Sequence, residues 1–271
     1  MTKKFIAACI QNCATVDVEE NIETCLVLAK RAIESGAELI CTPEYFAGVE
    51  TKNGVFFPAA FSEENHPVLT AFAKAARELG AWFLLGSLGV VNKDGKISNR
   101  SYLINSNGET VAAYNKIHLF DVDLEGGSYR ESETISPGTQ AVIGDLPWGR
   151  LGLSICYDLR FAALYRQLAK SGADILAVPA AFTKATGEAH WHVLNRARAI
   201  ETGSYVIAPC QYGTLAGGGE CYGHSLIIDP WGRVLADGGD KEGFVLAQID
   251  PEQVAEARRK IPALNHDREI G

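Results

Sequence analysis

Two patterns alternate along the chain: short, nearly unbroken apolar runs, and longer stretches in which apolar residues return every third or fourth position. "KFIAACI" (4–10), "AWFLLGSLGVV" (81–91), "RLGLSIC" (150–156), "DILAVPAAF" (174–182), "YVIAPC" (205–210) and "FVLAQID" (244–250) are runs of the first kind and predict strands. "VEENIETCLVLAKRAIESG" (18–36) is of the second kind, with Ile22, Cys25, Leu26, Ala29 and Ile33 on one helical stripe and Gly36 as a stop. The same spacing predicts helices over "PVLTAFAKAARELG" (67–80), "AALYRQLAKSG" (162–172), "EAHWHVLNRARAIETG" (188–203) and "PEQVAEARRKIP" (251–262). Pro251 stands at the start of the last, where its missing N–H is harmless.

Hairpins interrupt this alternation. "ISNRSYLINSNGETVAAYNK" (97–116) predicts one, with Asn107-Gly108 in a tight primed turn, and "GHSLIIDPWGRVLA" (223–236) another, turning at Asp229-Pro230-Trp231-Gly232. "ELICTPEYF" (38–46) reads as a strand broken by Pro43, and the polar, Gly-rich residues 118–140 as an irregular loop. Helices interleaved with crossover strands and hairpins imply a mixed sheet, or two sheets, covered by helices. No linker or composition break divides the chain, so one α/β domain over residues 1–271 is expected.

With 271 residues and 47% hydrophobic content, a large core can be buried. A net charge of -8 lacks the basic stripe of a nucleic-acid binder, and no nucleic-acid partner is expected. The absence of an 18-residue apolar run predicts no membrane span, and Gln11 and Asn12 interrupt the first apolar stretch too soon for a secretory signal. A cytoplasmic chain is expected. Seven cysteines, an odd number without a Cys-x-x-Cys pair, argue against a disulfide framework. Cys9, Cys25, Cys41 and Cys210 read as small buried hydrophobes, while Cys221, in a loop, stays open.

Three apolar strands end on a reactive side chain: "LICTPEYF" on Glu44, "TVAAYNKIHLFD" on Lys116 and "LGLSICYDLRF" on Cys156. Ligands gather outside the carboxyl ends of strands in open α/β sheets, and a carboxylate, an ammonium and a thiol meeting there would make a covalent-catalysis site. Taken alone, Glu44 or Lys116 reads as a solvated loop residue and Cys156 as a core side chain.

"TPEYF", "YNKIHLFD" and "ICYDLRFAALYR" together resemble, in order and spacing, the three signature segments of the nitrilase superfamily of carbon–nitrogen hydrolases. "TGEAHWHVLNRARAIET" and "YGHSLIIDPWG" are similar to its Nit branch, which holds deaminated-glutathione amidase and omega-amidase activities. The resemblance spans nearly the whole chain. It implies an α/β fold of four layers, an α-β-β-α sandwich, a homodimer, and a cofactor-independent thiol amidase that releases acid and ammonia from a small carboxylate-bearing amide. A deaminated-glutathione-type substrate comes first; an omega-amide of an alpha-keto acid follows, then a nitrile or N-carbamoyl amine.

By the same resemblance, Cys156 is the nucleophile, Glu44 the general base and Lys116 the oxyanion partner, with the Tyr157 N–H as second donor. Glu131 corresponds to a second family glutamate, with Glu133 an adjacent competitor. A substrate carboxylate calls for an arginine fork. Arg160 is the candidate, set against an ion pair with Asp158; Tyr45, Tyr157, Phe182 and Thr183 are candidates for the pocket wall. One departure is Ala162-Ala163, where relatives often carry Pro-Glu.

Three rival readings are weaker. His118, His190, His192 and His224 could be drawn as metal ligands, but His190 and His192, two apart on a helix, face different ways, so no metal is expected. "GTLAGGGE" (213–220) lacks the strand–loop–helix order of a phosphate cradle and reads as a mobile loop near the site. A non-enzymatic scaffold on the same fold would have no need of Glu44, Lys116 and Cys156 together.

Overall fold

In β1 (Phe5–Gln11), Phe5, Ala7 and Cys9 enter one apolar cluster while Ala8 and Ile10 enter another, so neither face meets water. The unbroken run "FIAACI" is therefore the signature of a strand between two buried layers. The structure, a computed structural model, describes residues 3–124 and 127–268.

From β1 the chain continues through α1 (Val18–Glu34), β2 (Leu39–Cys41), the hairpin β3 (Val49–Lys52) and β4 (Val55–Pro58), β5 (Ala60–Ser62) and α2 (Pro67–Leu79). β6 (Trp82–Val91), β7 (Ile97–Ile104) and β8 (Thr110–Asn115) form a meander, followed by a small hairpin of β9 (Asp121–Leu124) and β10 (Gly127–Arg130). Then come β11 (Val142–Leu146), β12 (Gly149–Leu153), α3 (Ala162–Lys170), β13 (Ile175–Ala177), α4 (Lys184–Thr202) and β14 (Tyr205–Ala208). β15 (Tyr212–Thr214) pairs with β16 (Glu220–Tyr222), and β17 (Leu226–Ile228), β18 (Val234–Asp237), β19 (Gly243–Ile249) and α5 (Pro251–Lys260) complete the chain.

The strands assemble into two main sheets. The first runs β19-β1-β2-β6-β7-β8 with β5 beside β6, and the second β11-β12-β13-β14-β17-β18. Leu39, Cys41, Leu84 and Leu103 of the first share one core with Leu151, Leu153 and Leu176 of the second. On the outer side of the first sheet, Ile40, Phe83 and Leu85 meet Cys25, Leu28 and Ala29 of α1 and Phe72 and Ala76 of α2. α3 and α4 cover the second sheet: at Gly152 an added Cβ would stand 3.1 Å from Leu168, so the glycine sets how closely α3 lies on β12. The expected four-layer α-β-β-α sandwich is the observed fold.

Three expectations need correction. Asn107-Gly108 is not a primed turn: the Gly108 N–H donates to the Asn105 carbonyl (2.9 Å), so Ser106 and Asn107 form the corner. Only Gly108 of this turn has positive φ, at +77°, and the pairing slips between Leu103 and Ile104. That is the longer hairpin loop closed by a left-handed glycine. Residues 118–140 are not wholly irregular, since β9 and β10 pair within them; residues 125 and 126 lie outside the described residues. The "GTLAGGGE" stretch, expected to be a mobile loop, is the β15–β16 hairpin, anchored where the Thr51 N–H donates to the Ala216 carbonyl (2.9 Å). Its Gly217, at φ +80°, is pressed against the Thr51 carbonyl, which leaves no space for a Cβ.

Candidate active site

Glu44 leaves β2 through a turn fixed against β6. The Thr42 hydroxyl accepts the Gly86 N–H (3.0 Å) and the Ser87 hydroxyl accepts the Tyr45 N–H (3.1 Å), while Tyr45 sits at φ +52°. Lys116 follows β8, its N–H donating to the Asn99 carbonyl (2.9 Å). Glu131 begins the single helical turn after β10. Cys156 follows β12 at φ +48°, its N–H donating to the Pro179 carbonyl (2.8 Å). A left-handed non-glycine residue costs roughly 1–2 kcal/mol, and here two stand at the same site, which their surroundings must hold in place.

These four side chains are buried together. The Lys116 ammonium donates to Glu44 Oε1 (2.8 Å) and to both oxygens of Glu131 (3.0 and 2.8 Å). Asn99 Nδ2 donates to Glu44 Oε1 (2.9 Å) and Glu131 Oε1 (3.1 Å), so it links the two carboxylates directly. Tyr45 Oη donates to Glu131 Oε1 (3.2 Å), the Phe120 N–H to Glu131 Oε2 (2.7 Å), and the Ala181 N–H to Glu44 Oε2 (2.8 Å). Glu133 is exposed; Glu131 is the carboxylate in the cluster.

The charges decide the resting protonation. Two carboxylates around one ammonium leave one net negative charge beside Cys156. Burial first, and then the Glu44 charge, pushes the Cys156 thiol well above its usual range; Lys116 pulls it down without prevailing. Burial works against the Lys116 ammonium, yet the charges of Glu131 and Glu44 outweigh it and hold its pKa well above the ordinary lysine range. The site at neutral pH therefore presents a neutral thiol, a cation and a carboxylate able to take the thiol proton.

A pocket opens onto the cluster, walled by Tyr45, Phe56, Phe120, Tyr157, Phe182 and Thr183. The four wall candidates from the sequence all lie there. Arg160 stands with its guanidinium 5.7 Å from the Tyr157 ring centre and 5.6 Å from that of Phe182. The alternative ion pair with Asp158 is not formed, and among the described residues Arg160 has no carboxylate partner; it reaches His190 Nδ1 at 3.3 and 3.4 Å. Ala163, one of the two departures from the usual Pro-Glu, is exposed on the first turn of α3 and takes no part in the pocket wall.

Asp158 has a different task. Its Oδ2 accepts from Tyr114 Oη (2.7 Å) and the Ile155 N–H (2.9 Å), and its Oδ1 accepts the His118 N–H (3.0 Å) and lies 2.7 Å from His118 Nδ1. Tyr114 and His118 flank Lys116, and Ile155 precedes Cys156. One fully buried carboxylate thus ties the lysine segment of the first sheet to the thiol segment of the second.

Sequence reasoning missed Asn99 and the pocket rings Phe56 and Phe120. The signal for Asn99 was an amide at an inward position of "ISNRSYLI", between the buried Ser98 and Ser101. The histidines drawn as metal ligands are dispersed: His118 stacks on Phe161 at 3.6 Å, His190 faces Arg160, and only His192 and His224 approach one another.

Residues 6–259 match the family described as carbon-nitrogen hydrolase. A Synechocystis protein named deaminated glutathione amidase is 41% identical over 97% of this chain and 98% of its own length. The crystal structure of the C. elegans NitFhit protein matches with a TM-score of 0.86 and 36% identity, over 98% of this chain and 66% of that longer one. Nit3 of Saccharomyces cerevisiae, described as a member of branch 10 of the nitrilase superfamily, matches with a TM-score of 0.85 and 28% identity, over 96% and 95% of the two chains.

Proposed function

The chain belongs to the carbon–nitrogen hydrolase family, and from that premise we propose that it hydrolyses a small carboxylate-bearing amide of the deaminated-glutathione type through a thioester on Cys156. The observation that carries this reading is the buried cluster in which Lys116 bridges Glu44 and Glu131 next to a protonated thiol.

In the proposed cycle Cys156 Sγ adds to the amide carbonyl as Glu44 takes the thiol proton, since a free thiolate would add a second net negative charge to the cluster. Lys116 spends its three N–H donors on Glu44 Oε1 and both oxygens of Glu131, and the longest of these contacts, to Glu131 Oε1 (3.0 Å), is the one it gives up to meet the oxygen as it gains charge. The Tyr157 N–H, in the first turn of the 3-10 helix that begins at Cys156, has no partner within that helix and serves as second donor. Glu44 returns its proton to the leaving nitrogen, the C–N bond breaks, and the amine departs. Glu44 then takes a proton from water, whose oxygen adds to the thioester; the C–S bond breaks, Cys156 regains a proton, and the acid leaves. The expected ammonia comes only from a primary amide, whereas a glutathione-like amide releases a peptide amine, so the leaving group reports the substrate.

Arg160, without a carboxylate partner among the described residues and set over two pocket rings, anchors the substrate carboxylate in this reading. We place the enzyme in the cytoplasm, consistent with seven unpaired cysteines, and read it as a homodimer. Ile200 packs near Gly232 beside the exposed Trp231, which gives the α4 side apolar surface for a second copy. A panel of omega-amides, glutathione-like amides, nitriles and N-carbamoyl amines, assayed for acid, ammonia and peptide amine, tests the proposal. Turnover confined to nitriles or carbamoyl amines would overturn it, and a monomer in sedimentation would overturn the dimer.

A further inference from the structure

Away from the pocket, three side chains from three separate segments converge. His192 comes from α4, His224 lies two residues ahead of β17, and Asp237 ends β18. Asp237 Oδ2 is 3.0 Å from His192 Nε2, and Oδ1 is 2.8 Å from His224 Nδ1. The three donor atoms lie within 4.8 Å of one another, so a small rotation of the side chains brings them to the spacing of about 4 Å or less that one ion with bonds near 2 Å requires. We propose that His192, His224 and Asp237 bind a divalent transition-metal ion, zinc first, at a structural site separate from amide hydrolysis. Two imidazoles and a carboxylate suit borderline cations of this class, and water would complete the coordination.

The surroundings hold the three donors in place. His224 sits at φ +51°, with its N–H on the Gly239 carbonyl (2.6 Å) and its carbonyl accepting from Trp191 Nε1 (2.8 Å). Tyr222 stacks on its ring at 4.5 Å. Asp237 Oδ1 also accepts the Gly239 N–H (2.9 Å), an outer contact of the kind that orients ligating carboxylates. To ligate, each imidazole keeps its proton on the ring nitrogen turned away from Asp237. The sequence argument against a metal rested on His190 and His192 diverging, and they do; the third ligand is an aspartate 45 positions along the chain from His192.

Such an ion would clamp α4 to the segment carrying Tyr222, whose N–H donates to the Phe182 carbonyl in the pocket wall (2.8 Å). The test is cobalt(II) titration of the full-length Cys156→Ala protein, which lacks the thiol of the active site. One cobalt per chain is expected, with visible bands, no thiolate-to-metal charge transfer in the near ultraviolet, and displacement by zinc. His192→Gln and Asp237→Asn, both outside the pocket, should each weaken cobalt binding at least about tenfold, the least that perturbing even an outer contact does. Their melting temperatures in chelator should fall by only a few degrees, because both side chains are partly exposed. Absence of saturable binding, or equal binding in both variants, overturns the site. If a variant unfolds, the parent spectrum decides: nitrogen and oxygen ligation supports the site, and thiolate ligation overturns it.

Discussion

Replacing Glu131 with glutamine keeps the shape of the side chain and reverses one end of it. Glu131 Oε1 accepts from Lys116, Asn99 and Tyr45, and Oε2 from Lys116 and the Phe120 N–H. Whichever end the new NH2 occupies, it faces at least two donors that lose their acceptor. Each such buried loss costs about 1–3 kcal/mol, so Glu131→Gln should lower stability by about 2–6 kcal/mol. Lys116 loses one of its two anchors, and a displaced oxyanion donor typically lowers kcat by about 10²–10³-fold. The Glu131 charge also helps to keep the Cys156 thiol protonated, so neutralising it moves that thiol downward. The variant should therefore label faster with iodoacetamide while it turns over more slowly. Urea unfolding, steady-state hydrolysis and timed alkylation read the three effects. A kcat within threefold of the parent, with an unchanged unfolding midpoint, would refute the account of the cluster.

Cys156→Ala should abolish turnover and leave the melting temperature within a few degrees of the parent; residual catalysis at parental rate rules out the thioester route. Arg160→Met should lower kcat/KM for a carboxylate-bearing amide by about 10–100-fold, the worth of about 1.5–3 kcal/mol for a hydrogen bond to a charged group, and spare an uncharged amide; equal loss on both contradicts the anchor. Asp158→Asn should destabilise the fold and lower kcat together, because the new NH2 faces either Tyr114 and Ile155 or His118, which lose their acceptor; a normal kcat in urea short of unfolding argues against the tie. Burial pushes the Cys210 thiol up to about 12, whereas an unfolded thiol ionises near ~8.5. The folded form holds that proton longer, so this contribution is complete below ~8.5 and is lost as pH rises toward about 12, at ~1.4 kcal/mol per pH unit per thiol. Urea titrations between those limits should show a shallower decline for Cys210→Ala, and an identical slope would count against the buried thiol.

The strands and helices were legible where one period persisted. The two-sided burial of "FIAACI" and the stripe of α1 each repeat one rule over enough residues to stand out. Glu44, Lys116 and Cys156 stood out because each ends an apolar run, and the resemblance of their three segments to one family gave them expected roles. Asn99 was not, because an amide in a strand resembles any polar outward position until the facing sheet shows that it points inward. Glu131 and Glu133 were indistinguishable for a related reason: a single helical turn has no period, and only packing separates the buried carboxylate from the exposed one. The β15–β16 hairpin was hidden by its glycines, which suit a turn or a mobile loop equally well until Thr51 fixes one of them. The triad of His192, His224 and Asp237 was missed because its aspartate stands 45 positions from His192 and only the pairing of β17 with β18 brings it beside His224.

In the proposed cycle the sulfur of Cys156 hangs from one half of the sandwich, and the proton acceptor Glu44 and the cation Lys116 hang from the other, with Asp158 as a rivet between them. A slight shear of the halves, too small to expose the interior or alter overall shape, would already pull the trio out of register. Turnover is thus a fine gauge of how the halves are seated, and agents that loosen them should silence the enzyme well before spectroscopy registers any melting.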